Sequence, residues 1–128
     1  MTANITLWVL QVALGLFFMM VGYSHALAPF DEVAQQATWM QHVPRPLSQF
    51  IGYAEMAGGL GLIVPAATRI APWLTPLAAL GLGTIMILAI AFHVVRGEAS
   101  DVWIQALLAA LALFVAWGRW RTASITRR

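Results

Sequence analysis

A chain of 128 residues that is 61% hydrophobic and only 9% charged, with a mean hydropathy of +0.79, is too apolar for a soluble globular domain. The absence of cysteine excludes disulfides, thiol redox chemistry, thiolate-held iron–sulfur clusters and covalently attached c-type haem. The net charge of +2 comes from arginines alone, and they flank apolar runs, so membrane topology accounts for them and nucleic acid is not an expected partner.

About 20 apolar residues suffice to cross the roughly 30 Å hydrocarbon core of a bilayer. Four such runs fill most of the chain: Ile5 to Ala28, Leu47 to Ala67, Ala71 to His93 and Val102 to Gly118. They predict an all-α membrane protein, residues 1–128 forming a single four-helix domain in the lipid bilayer. The first run starts without a basic segment and is too long for the core of a signal peptide, so it reads as an uncleaved helix. After Pro29 comes a polar segment. Asp31 is a plausible N-cap there, and Val33, Ala37 and Met40 recur at helical spacing, which predicts a short interfacial helix in the first outer loop. Pro44 and Pro46 separate it from the second span, which Pro65 is expected to close.

The short turn through Thr68, Arg69 and Pro72 makes the second and third helices antiparallel neighbours. Small residues four apart (Ala57 and Gly61, Ala79 and Gly83, Ala106 and Ala110) suit close helix packing. Arg69 and the group Arg119, Arg121, Arg127 and Arg128 fall at one end of the bundle. Arg45 and Arg96 fall at the other, with Asp31, Glu32, Glu98 and Asp101. The positive-inside rule then places both termini of this multi-pass protein in the cytoplasm. The terminal arginines are expected to fix this topology and to touch anionic lipid.

Glu55 is the only acid inside the second run. A carboxylate in hydrocarbon costs several kcal/mol unless it is protonated, paired or wetted, so such a residue is a functional candidate by default. Gly52, Gly58 and Gly59 lie three or four residues from it and share its helix face. Small residues there let another helix approach closely and direct Glu55 inward. At 1.5 Å per residue Glu55 lies about 12 Å in from the outer end of its helix. His25, His93, Tyr23, Tyr53, Trp103 and Gln105 fall in the same outer half. This convergence predicts an outward-opening pocket with Glu55 at its floor and His25 and His93 near its mouth. Its residues are candidates for binding a ligand or relaying protons. The structural alternative for Glu55 is a hydrogen bond to Tyr23 or His25. The inner half is plainer, with Gln11 and Thr84 as exceptions. His25, His93, Glu55, Glu98 and Asp101 form no His-x-x-x-His or Glu-x-x-His pairing, so neither a metal nor a haem is expected.

The run Phe50-Ile51-Gly52-Tyr53-Ala54-Glu55-Met56-Ala57-Gly58-Gly59-Leu60-Gly61-Leu62-Ile63-Val64-Pro65, the turn with Arg69 and Pro72, and Phe92-His93 with Arg96-Gly97-Glu98 resemble the DoxX-like family of small four-helix bacterial membrane proteins. That family often carries a basic residue followed by Leu late in its first helix, where this chain has Ser24-His25-Ala26-Leu27. The resemblance implies a pH-sensitive pair of His25 with Glu55 in place of a permanent ion pair. Some members are the membrane subunit of a thiosulfate:quinone oxidoreductase, others are linked to redox and thiol-stress complexes, and many have no assigned activity. Three functions stay open on the sequence. The first is a quinone-linked or redox-associated membrane subunit, whether the partner is another membrane protein or a second copy in a homo-oligomer. The second is a structural or assembly subunit without chemistry of its own. The third is a small proton-coupled transporter.

Overall fold

The computed structural model describes residues 2–97, 102–122 and 124–126. In chain order the elements are α1 (Thr2–Ala26), α2 (Phe30–Gln36), a 3-10 turn (Thr38–His42), α3 (Arg45–Thr68), α4 (Leu74–Val95), α5 (Trp103–Trp117) and a closing π-turn (Gly118–Thr122). Four helices are long and apolar enough to cross a membrane: Thr2–Ala26, Arg45–Thr68, Leu74–Val95 and Trp103–Arg121. The chain is a multi-pass membrane protein, and each predicted run corresponds to one of these helices with its ends displaced by less than a turn. The predicted Glu98, Asp101, Arg127 and Arg128 lie outside the described residues.

The helices form an antiparallel bundle in which α1 packs chiefly on α3, and α4 packs on both α3 and α5. Lipid supplies no hydrophobic drive between helices, so close backbone approach matters more than in a soluble bundle. The α1–α3 contact is built on that approach. A Cβ on Gly52 would lie 2.7 Å from the Gly22 carbonyl oxygen and 2.6 Å from the Ala26 nitrogen, so neither crossing position tolerates a side chain. The central core brings together Leu14 and Phe18 of α1, Leu62 of α3, Leu82 of α4, and Ala112 and Val115 of α5. Of the small pairs, Ala79 and Gly83 are buried, with Gly83 against Leu113 of α5, whereas Ala106 and Ala110 are exposed. That face of α5 turns away from its neighbours.

Three local readings are corrected. The interfacial helix forms, but Pro29 occupies the N-cap and Asp31 sits in the first turn. The fixed φ of proline already provides the chain's entry into that turn. Pro65 does not close α3. The helix runs on to Thr68, and Arg69, at φ 56° in the left-handed region, caps it. Pro65 lacks the N–H that would bond the Gly61 carbonyl. The Thr75 hydroxyl of α4 donates to that carbonyl instead, at 2.9 Å, and the Gln11 side-chain amide of α1 donates to the next one, Leu62 O, at 2.7 Å. Neighbouring helices thus repair the break in the ladder, which is how membrane helices keep an internal proline.

The third correction concerns Arg119. It is 3% exposed and does not face lipid. Its Nε donates to Gln11 Oε1 and its Nη1 to Asn4 Oδ1 at 2.8 Å, while Nη2 reaches the Asn4 carbonyl at 3.4 Å. Gly118 packs closely here: a Cβ there would lie 2.7 Å from the Leu7 side chain of α1, which would have to shift to admit it. Thr84, the other inner polar residue, is exposed and bonds its own helix at Leu80 O.

Candidate functional site: a histidine–glutamate pair beside an apolar cavity

The glycine crossing positions the chemistry. His25 lies three residues after Gly22 and Glu55 three after Gly52, so each side chain leaves the same face as its glycine, one turn further along its helix. The two meet across the α1–α3 seam, His25 Nδ1 to Glu55 Oε1 at 2.7 Å. Glu55 is 2% exposed. The other polar edge of the His25 ring remains at Nε2, and Trp39 of the 3-10 turn packs edge-on against the ring at 5.1 Å between centroids. Trp39 is held there by its neighbours: Met40 and Ala34 are buried against the bundle, and Gln41 Nε2 donates to Ala34 O at 2.8 Å.

Beside this pair lies a cavity of about 570 Å³, within the size range of ligand sites. Its walls are mostly apolar and aromatic, with Phe17, Phe50 and Phe92 among them, and its polar groups are His25, Trp39, His93 and Gln105. Glu55 is not in its lining. The close α1–α3 crossing seals Glu55 behind His25, so the carboxyl reaches the cavity only through the imidazole and is not the floor that the sequence suggested. His93 Nδ1 lies 2.7 Å from the Ala89 carbonyl of its own helix. Gln105 Oε1 is buried and has no hydrogen-bond partner among the described residues.

Tyr23, Tyr53 and Trp103 are 55%, 48% and 65% exposed and do not line the cavity. Each stands two residues before a site residue (His25, Glu55 and Gln105), and two helical residues are about 200° of rotation. They share the level of the site and point away from it. Sequence reasoning missed Trp39, whose only signal was an aromatic residue in the outer loop next to the end of the first span. It also missed the Arg119 seat. Asn4 and Gln11, seven residues apart on one face of α1, could have signalled it, since a buried glutamine needs partners. No three His, Asp or Glu side chains converge as a metal site among the described residues.

The His25–Glu55 pair joins the late first-helix position, where the chain departs from the family pattern, to the second-span segment that carried the resemblance. No curated protein and no solved structure matches the chain. The DoxX-like family profile matches residues 9–115, which include all four spans in whole or large part, and the chain therefore belongs to the DoxX-like family.

Proposed function

We propose that the chain is a quinone-linked membrane subunit and that the cavity beside His25 binds the quinoid head group. The observation that carries this reading is the combination of an aromatic, apolar cavity with a hydrogen-bonded His–Glu pair at its wall. The aromatic side chains suit a flat ring, and the polar groups suit its oxygens. Under the positive-inside assignment the site lies in the outer half of the bundle.

The pair supplies proton chemistry without a net buried charge. With one mobile proton it exists as imidazolium–carboxylate or as imidazole–carboxylic acid, and both forms are neutral overall. In both, Nδ1 and the carboxyl share a proton and Nε2 carries its own, so His25 offers an N–H donor. Loss of that proton would leave one uncompensated negative charge in hydrocarbon, which is costly. His25 thus holds a proton for a ring oxygen, and Glu55 holds His25 in register. Interconversion of quinone and quinol moves two electrons and two protons. In this reading the ring exchanges its electrons with a partner redox protein in the same membrane.

The test is equilibrium binding of a short-chain ubiquinone to purified wild type and to Glu55→Gln. Glutamine keeps the shape and a hydrogen bond to His25 but removes the mobile proton. Wild type should bind, and the variant should bind about tenfold more weakly, the worth of one charge-assisted hydrogen bond. Equal affinities, or no binding of either the quinone or the quinol to wild type, would support the alternative that the pair only clamps α1 to α3.

A further inference from the structure

We infer that the cavity takes the reduced, hydroxylated form of the ring, the quinol, in preference to the quinone. The inference rests on the quinoid reading above and deepens it. Its basis is a mismatch between what the cavity wall offers and what a quinone can accept. The two carbonyl oxygens of a quinone only accept hydrogen bonds, whereas each hydroxyl of a quinol both donates and accepts.

On α4, the Ala89 carbonyl beside His93 Nδ1 can only accept, so Nδ1 carries the proton. The neutral ring therefore presents Nε2 as a lone pair. On α5, Gln105 Oε1 is a second acceptor, buried and without a partner among the described residues. A buried polar atom left unpaired is unusual in a native fold and marks a place where a missing group belongs. Gln105 lines the cavity, and a flip about its broad terminal torsion exchanges this oxygen with the amide nitrogen. On the other side, His25 of α1 offers Nε2–H from its neutral pair with Glu55, and Trp39 adds an indole N–H.

The groups that only donate thus come from α1 and the 3-10 turn, and the group that only accepts is His93 Nε2 on α4, while the Gln105 amide of α5 accepts through Oε1 and donates through Nε2. A quinone satisfies the donors and sets a carbonyl lone pair against His93 Nε2. A quinol satisfies both, receiving from His25 or Trp39 and donating to His93 Nε2 and Gln105 Oε1. Such a site holds the reduced ring and releases the oxidised one.

The experiment measures binding of decylubiquinol and decylubiquinone to the purified full chain under anaerobic conditions, followed by tryptophan fluorescence. Wild type should bind the quinol at least about tenfold more tightly. Gln105→Leu and His93→Phe, checked for unchanged helicity, should each pull that ratio toward one, chiefly by weakening the quinol. Equal binding of the two forms by wild type, or tighter binding of the quinone, overturns the inference and leaves the quinoid reading standing. Binding of neither form overturns both. A wild-type preference that survives unchanged in both variants overturns the assignment to these acceptors. The wild-type ratio decides the main point even if a variant fails to fold.

Discussion

The two ends of the bundle treat buried polar groups differently. At the Arg119 end, the guanidinium bonds Gln11 and Asn4, and the Gln11 amide also bonds Leu62 O, so both polar atoms of that glutamine are used. At the Glu55 end, His25 spends one ring nitrogen on Glu55 and His93 spends one on Ala89, while Gln105 Oε1 has no partner among the described residues. The first arrangement consumes its hydrogen-bonding capacity and locks α5 to α1. The second keeps capacity in reserve beside a cavity of about 570 Å³. Burial of a polar residue therefore does not by itself mark function in this fold. In the proposed reading, unspent hydrogen bonding next to empty space does.

Four substitutions would break or sharpen that contrast. The largest effect is expected at the glycine crossing on which the Glu55 end depends. Gly52→Val drives side-chain atoms into the backbone of α1, where even a Cβ has no room, and should lower stability by 3 kcal/mol or more, roughly the upper range for overpacking. Thermal unfolding in detergent would read this, and an unchanged midpoint would mean that the helices are not in this contact.

Arg119→Met should come next. It strands the Gln11 and Asn4 oxygens and should cost about 1–3 kcal/mol. Quinone affinity at the far end should be unaltered, and a parallel loss of binding would show that the two ends are coupled. Glu55→Gln should do the reverse, changing stability by less than about 1 kcal/mol because the shape and a hydrogen bond to His25 survive, while binding falls. A large drop in its unfolding midpoint would place Glu55 with Arg119 as a structural tie.

The smallest effect tests the repair at Pro65. Thr75→Val leaves Gly61 O without its donor and should cost about 1 kcal/mol. In a Pro65→Ala background the restored backbone N–H takes over that carbonyl, so the same substitution should cost less, with a coupling of about 1 kcal/mol in a double-mutant cycle. Additive effects would mean that Thr75 does not substitute for the missing bond.

These particulars also define what the sequence made legible. Span number and approximate ends followed from run length and hydropathy, because backbone satisfaction in lipid leaves helices as the solution for such runs. Glu55 stood out because a lone acid in an apolar helix demands an explanation. The glycine three residues before it correctly announced a close neighbour, although Gly58 turns to Leu82 of α4 and not to α1. What failed was azimuth and partnership. Tyr23, Tyr53 and Trp103 were placed at the right depth, but depth says nothing of direction. Their offset of two residues from His25, Glu55 and Gln105 already put them on the opposite face. Pro65 read as a stop because its rescue comes from Thr75 on another helix. Arg119 read as a lipid contact because its partners, Asn4 and Gln11, lie more than a hundred positions away in the chain.

Photoaffinity labelling with an azidoquinone in membranes, followed by peptide mapping, tests the central claim most directly. The label should fall on the segments that wall the cavity, around 17–25 of α1 and 85–93 of α4, and excess unlabelled quinone should suppress it. Labelling spread evenly over the lipid-facing surface, or concentrated at the Arg119 end, would contradict a quinoid site beside His25.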